Sequence, residues 1–112
     1  MVTLSVFDQS ALVSGMTPYE AMRNTLALAE AADRLGYARF WVSEHHDTDG
    51  LAGSAPEIVM AAVLARTRRI RVGSAAVLLQ HYSPYKIAEQ FRVLEAMFPG
   101  RVDLGIGRSS GG

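Results

Sequence analysis

Two adjacent histidines follow a hydrophobic run in the segment FWVSEHHDTDG, residues 40–50. A neutral imidazole exchanges protons near pH 7 and also ligates metal ions, so this segment is the first candidate for chemistry. A metal site would use several of its carboxylates and imidazoles together, whereas acid–base chemistry needs one well-placed imidazole.

The alternation of side chains along a strand argues against a metal site built from these neighbours. If Trp41, Ser43 and His45 face one side of a strand, Glu44 faces the other and His46 lies at or past the strand end. The two imidazoles then point apart, and the zincin spacing H-E-x-x-H is absent. His45 is therefore the candidate for proton transfer, with a capping or solvated histidine as the alternative. We predict no metal site from Glu44, His45, His46, Asp47 and Asp49.

The composition limits the class of protein. The chain has 112 residues, 49% of them hydrophobic, and a formal net charge of zero, as one globular domain or a part of one would have. The balanced charge offers no basic face for nucleic acid, and no apolar run reaches the ~18 residues of a membrane span. Cysteine is absent, which excludes disulfides and a thiol nucleophile. Because the N-terminus lacks signal-peptide features, we interpret the protein as cytoplasmic.

Short β-type runs alternate with longer helical patterns that Pro or Gly separates. The first helical pattern has Thr17 as N-cap, Glu20 completing a capping box and Gly36 at its end. Two further helical patterns cover residues 55–69 and 83–100. The order βαβαβαβ predicts parallel strands joined by right-handed crossovers. The four predicted strands are TLSVFDQ, RFWVSE, IRVGSAAVLL and RVDLGIGR.

The fourth predicted strand distinguishes two α/β architectures. Its bulky apolar residues alternate with small or charged ones, as expected for one face under helices and one along a barrel lumen. A Rossmann sheet, covered on both faces, should be more uniformly apolar. Since a (βα)8 TIM barrel needs ~250 residues, we predict that residues 1–112 form its N-terminal half. The alternating sets are Val102, Leu104 and Ile106 against Asp103, Gly105 and Gly107.

A glycine-rich turn follows the fourth predicted strand. Gly105-x-Gly107-x-x-Ser110 approaches the dinucleotide-binding fingerprint, but serine replaces its third glycine. A tight turn without a phosphate ligand is the alternative reading of the same residues.

Four segments in a fixed order resemble the luciferase-like flavin-dependent monooxygenases. These are EHH after a Trp-containing strand, VGSAA, HYSP and GRVDLGIGR. The resemblance covers nearly the whole chain and implies a (βα)8 barrel that binds reduced FMN or, in related branches, the deazaflavin F420. It also implies oxidation of a small, aldehyde-like organic substrate by O2, with the flavin as the reactive group.

The resemblance implies roles for individual residues. His45 matches the catalytic histidine that assists proton transfer, and Arg108 matches an arginine that helps bind the flavin phosphate. A non-proline cis peptide is implied between Ala75 and Ala76. Gly107 stands where the light-emitting catalytic subunit has a reactive cysteine, so light emission is not implied. The implied cofactor-binding residues are Ser74, Ala75, Ala76, Gly107 and Arg108.

The resemblance also implies partners. It suggests a homodimer through the second and third helices, and the second helix, PEIVMAAVLAR, is apolar almost all round. A flavin reductase is a further implied partner. Two alternatives remain open, a flavin-binding subunit without catalysis and a truncated half barrel without activity.

Overall fold

The structure, a computed structural model, describes residues 2–108. Parallel strands alternate with helices, as the sequence predicts, and β1, β2, β3 and β5 form one sheet in that order. A second parallel pair joins β4 to β6. The strands are β1 (Ser5–Asp8), β2 (Arg39–Val42), β3 (Arg71–Ser74), β4 (Val77–Leu78), β5 (Val102–Asp103) and β6 (Ile106–Gly107). The helices are α1 (Pro18–Arg34), α2 (Pro56–Arg66) and α3 (Pro84–Met97), with a 3-10 turn at Leu79–His81.

The helix ends follow local signals in the sequence. The Thr17 side chain accepts a hydrogen bond from the Glu20 backbone N–H, and the Glu20 carboxylate accepts one from the Thr17 N–H, which confirms the capping box. Gly36 has a positive φ of 83° just after α1, a conformation that favours glycine. Ser83 caps α3 through the Lys86 N–H. No helix within residues 2–108 combines the length and apolar character that a membrane crossing requires.

The hydrophobic core lies between one face of the sheet and the helices. Phe40 of β2 and Val72 of β3 are fully buried there beside Met60 and Leu64 of α2. Each such side chain contributes about 1.5 to 3 kcal/mol through burial, so this layer supplies much of the stability. The core extends to α1 through Ala29 and Ala32, and to α3 through Ile87, Phe91 and Leu94.

The opposite face of the sheet is polar and partly open. Register places Arg39 beside Arg71 and Trp41 beside Gly73. Asp103 receives hydrogen bonds from both arginines, at 3.1 Å from Arg39 Nε and 2.7 Å from Arg71 Nη2. The bonds from Arg71 are the main cause that lowers the pKa of Asp103. A Cβ at Gly73 would lie 2.5 Å from the Trp41 ring, so glycine makes room for the indole.

Two predicted strands are each divided in the structure, which corrects the prediction. The sequence predicts one strand for residues 70–79 and one for residues 101–108, but β3 ends before β4 and β5 ends before β6. At the division, Ser74 Oγ donates to the Gly105 carbonyl at 2.8 Å and accepts from the Gly105 N–H at 3.0 Å. The side chain thus replaces backbone pairing, and the ladder resumes where the Val77 N–H bonds the Gly105 carbonyl.

The turn between α2 and β3 is held by side chains from two other parts of the chain. The Asp33 carboxylate of α1 accepts hydrogen bonds from the backbone N–H groups of residues 68–70, at 2.9 to 3.0 Å. Arg101 donates to the carbonyls of Thr67 and Ile70, at 3.2 and 3.0 Å. The backbone polar groups of this turn are therefore satisfied from outside it.

Candidate active site

His45 lies just beyond the carboxyl end of β2 and is half-buried. Its backbone N–H donates to the Gly53 carbonyl at 2.8 Å, which fixes the chain as it leaves the strand. The Gln9 amide nitrogen, just past β1, lies 3.1 Å from His45 Nε2. This contact between the amide and the ring nitrogen holds the imidazole plane in place. His45 is thus an oriented imidazole at the carboxyl end of β2.

His46 takes a different partner from its neighbour, as strand alternation predicts. Its Nε2 lies 2.5 Å from Oε2 of Glu44, and the other Glu44 oxygen accepts the Leu78 N–H at 3.0 Å. The Glu44 side chain has no solvent exposure, whereas that of His46 is 35% exposed. Within the sequential group considered for a metal site, Glu44 and His46 therefore lie together, whereas His45 lies apart with Gln9.

A tyrosine completes the polar surroundings of Glu44. Tyr82 donates to Glu57 Oε2 at 3.0 Å. Burial, with the nearby carboxylates of Glu44 and Glu57, raises the pKa of Tyr82 well above its usual value. The phenol therefore stays protonated and remains a hydrogen-bond donor.

Small residues form the surface next to these histidines. The Ala75–Ala76 peptide bond is cis, as predicted. Ala75 is exposed and Ala76 half-buried, while Ser74 is fully buried and its hydroxyl donates to the Gly105 carbonyl. A Cβ at Gly107 would approach that of Ala76 to 3.3 Å. Ala75 and Ala76 therefore present the open part of the predicted cofactor segment, and Ser74 supports it from behind.

The predicted phosphate-binding residue ends the part of the chain that the structure describes. Arg108 is exposed directly after β6. Ser110, the third position of the glycine-rich motif, lies outside the described residues. The arginine side chain is therefore free to extend toward a ligand at the carboxyl end of the strands.

A buried hydroxyl provides a test of whether a flavin suits this site. Ser43 is only 4% exposed, and its Oγ has no hydrogen-bond partner within residues 2–108. By strand alternation it shares the face of Trp41 and His45. Buried hydroxyls normally find a partner, so this one offers a place for the polar edge of a ligand. An unpartnered hydroxyl on the face of the imidazole suits a ligand with polar atoms along one edge, as a flavin ring has.

Sequence reasoning missed several residues of this region. Gln9 and Gly53 hold His45, and each comes from a segment distant in sequence. His81 packs against His46, with ring centroids 4.4 Å apart. The position of Gln9 at the end of the first predicted strand was a usable signal, because carboxyl ends of parallel strands meet at one edge. Nothing in the spacing of His81 indicated its contact.

The fold and the site together define a class of protein. Parallel strands joined by helices, with polar and small residues at the carboxyl ends, are the arrangement of (βα)8-barrel enzymes. The chain belongs to the luciferase-like monooxygenase family, whose family model matches residues 2–112. The predicted fold class is thereby confirmed.

Individual relatives agree with this assignment. N-acetyl-S-alkylcysteine monooxygenase of Bacillus subtilis is 51% identical over the whole chain, which covers 34% of that relative. The chain thus spans about a third of the length of the curated relatives it matches.

Solved structures show the same similarity. The chain matches apo-MsnO8 at 52% identity with a TM-score of 0.95, covering 99% of this chain and 33% of that one. The FMN complex of the oxygenating constituent of 3,6-diketocamphane monooxygenase from Pseudomonas putida matches at 26% identity and TM-score 0.88, over 96% and 30%. An F420-dependent secondary alcohol dehydrogenase matches at 25% identity and TM-score 0.71, over 94% and 31%.

Proposed function

We propose that residues 1–112 form the N-terminal half of a barrel that uses reduced FMN and O2 to oxidise a small organic substrate. The observation that best supports this proposal is the oriented His45 imidazole, which Gln9 and Gly53 hold at the carboxyl ends of the strands. Family membership and the similarity to an FMN-bound monooxygenase support the choice of cofactor.

The described residues have complementary tasks toward the flavin. Ala75 and Ala76 let the flat ring approach closely, and the orphan Ser43 hydroxyl bonds its polar edge. Arg108 and the neighbouring Gly107 bind the phosphate, since a guanidinium suits phosphate oxygens. Bound reduced flavin supplies the electrons and the reaction with O2.

His45 handles protons in this proposal. Gln9 holds one ring nitrogen, and the other ring nitrogen takes up and releases a proton during substrate oxidation. A positioned imidazole contributes about 10²- to 10⁴-fold to the rate of such steps. In this proposal other residues bind the flavin, so His45 has a catalytic role and no binding role.

The substrate is an aldehyde-like molecule or another small organic compound. The identity of 51% with an N-acetyl-S-alkylcysteine monooxygenase favours a thioether as a second candidate. F420 is the alternative cofactor, which the similarity to an F420-dependent dehydrogenase supports. Because reduced FMN must be regenerated, a flavin reductase is the partner enzyme that the main proposal requires.

The test replaces His45 in an intact barrel that contains this chain. His45→Ala should lower the rate of substrate oxidation about 10²-fold or more while reduced-FMN affinity changes little, because the imidazole moves protons rather than holding the ring. Stopped-flow kinetics and flavin titration measure the two effects. Thr48→Ala, an exposed change in the same loop, should alter neither. Unchanged turnover in His45→Ala would remove the residue from catalysis.

We also propose a homodimer built on α2 and α3. Ile58 is 68% exposed and Val93 56% exposed, and both border a groove between the two helices. Burying this groove in a partner subunit offsets the cost of exposing apolar side chains. Ile58→Glu should shift an intact barrel from dimer to monomer in sedimentation, whereas Leu28→Glu on α1 should not. A monomeric unmodified barrel would contradict the proposal.

A further inference from the structure

Two histidines and one carboxylate that are not consecutive in sequence meet above the end of β2. One potential ligand atom from each of Glu44, His46 and His81 lies within 4.8 Å of the other two. Ligands of a tetrahedral zinc site, with bonds near 2.1 Å, stand about 3.4 Å from one another. Small side-chain rotations therefore suffice to bring the three atoms to coordination distance.

The charge of Glu44 makes this position favourable for a cation. Its side chain is completely buried, and its ion-pair partner within residues 2–108 is His46, which carries charge only when protonated. A buried carboxylate is costly unless an opposite charge and hydrogen bonds compensate it. A divalent ion between Glu44 and the imidazoles would supply that charge directly.

The two oxygens of the Glu44 carboxylate have different partners. The Leu78 N–H bonds Oε1 at 3.0 Å and orients the group, so Oε2 faces His46. Such outer hydrogen bonds are the usual support for metal-ligating carboxylates. His46 and His81 are exposed, which leaves an entry path and an open position for water.

We propose that Glu44, His46 and His81 bind a divalent transition-metal ion of the zinc class. Two imidazoles and one carboxylate suit Zn²⁺, Co²⁺ or Ni²⁺, whereas Mg²⁺ and Ca²⁺ prefer oxygen ligands alone. Three protein ligands with a fourth, open position match the zinc sites that keep a bound water. The sequence did not reveal this group because His81 comes from the turn after β4, far from the adjacent pair.

The test is calorimetric titration of Zn²⁺ into the whole 112-residue chain without flavin. We expect one Zn²⁺ per chain. His81→Ala, an exposed change that leaves the core intact, should weaken binding at least about 100-fold, more than the 10- to 100-fold typical of outer-shell changes. Co²⁺ should give visible absorption bands of a four-coordinate site in the unmodified chain and lose them in His81→Ala.

His45→Ala is the matched control, because it removes the adjacent imidazole, which is not a ligand. It should bind Zn²⁺ as the unmodified chain does. The proposal is overturned if the unmodified chain takes up no Zn²⁺, if His81→Ala binds unchanged, or if His45→Ala weakens binding as much as His81→Ala. Since no flavin is present, none of these results bears on the proposed monooxygenase activity.

Discussion

The amino end and the carboxyl end of the same sheet are held together by different groups. At the amino end, regular register places two arginines of β2 and β3 side by side, and Asp103 of β5 bridges them. These contacts are added to the backbone bonds of the ladder, such as Val72 N–H to the Arg101 carbonyl, and they run through long side chains that can rotate. Small changes in strand position can therefore be absorbed there.

At the carboxyl end, backbone-to-backbone bonds and the Ser74 hydroxyl hold the strands. The Ala75 N–H donates to the Val42 carbonyl at 2.7 Å, and the Val77 N–H donates to the Gly105 carbonyl at 2.9 Å. A Cβ at Gly105 would lie only 2.1 Å from the Ser74 carbonyl oxygen. Backbone atoms cannot rotate away, so the end that carries the candidate active site should tolerate substitution least.

The largest effect should come from Gly105→Ala. The added methyl group would clash with the Ser74 carbonyl, and overpacking of this kind costs about 1 to 3 kcal/mol, occasionally more. We expect the free energy of unfolding to fall by more than about 3 kcal/mol, because no rotamer relieves a clash with backbone. Urea denaturation of the whole chain measures the change.

Gly50→Ala is the control for that substitution, because a Cβ at Gly50 meets no atom within 4 Å. It should leave the free energy of unfolding almost unchanged. If both variants lost the same free energy of unfolding, the close approach of backbone atoms at Gly105 would not be the cause of the loss.

A smaller loss should follow from Asp103→Asn at the amino end. Removing the charge weakens the bonds from Arg39 and Arg71, and hydrogen bonds to charged groups contribute about 1.5 to 3 kcal/mol. Because the fold lowers the pKa of Asp103, this contribution is complete above its unfolded pKa of about 4 and is lost as the pH falls below that value. Denaturation at several pH values should show a shallower acid loss in Asp103→Asn than in the unmodified chain. Parallel pH profiles would contradict this role.

The smallest effect should come from Ser74→Ala, which changes a side chain at the carboxyl end. It leaves the Gly105 N–H without its partner and should cost about 1 to 2 kcal/mol in denaturation experiments. Ser43→Ala removes an equally buried hydroxyl that has no partner within residues 2–108, so its cost should be near zero. If Ser74→Ala left the free energy of unfolding unchanged, the backbone ladder rather than the Ser74 hydroxyl would stabilise the region where β3 and β4 are separated.

The helices were predictable because their signals are local. The capping box of Thr17 and Glu20 and the glycine after α1 each depend on a few neighbouring residues. The divided strands were not predictable, since IRVGSAAVLL has the apolar character of one strand. Its interruption depends on Ser74 meeting Gly105, 31 residues later.

The candidate site shows the same limit. Strand alternation predicts that the imidazoles of His45 and His46 point apart, and in the structure they take different partners. The identity of those partners depends on which strand ends and turns meet in space. Gln9 and His81 reach the histidines from 36 and 35 positions away, respectively.

The turn between α2 and β3 has a consequence for sequence variation. Asp33 holds its N–H groups and Arg101 holds its carbonyls, while the side chains of Arg68 and Arg69 are exposed. The conformation of this backbone therefore depends on hydrogen bonds from residues elsewhere in the chain. The conformation of the turn is therefore specified by Asp33 and Arg101 rather than by its own side chains. We expect positions 68 and 69 to vary among relatives whose backbone follows the same course.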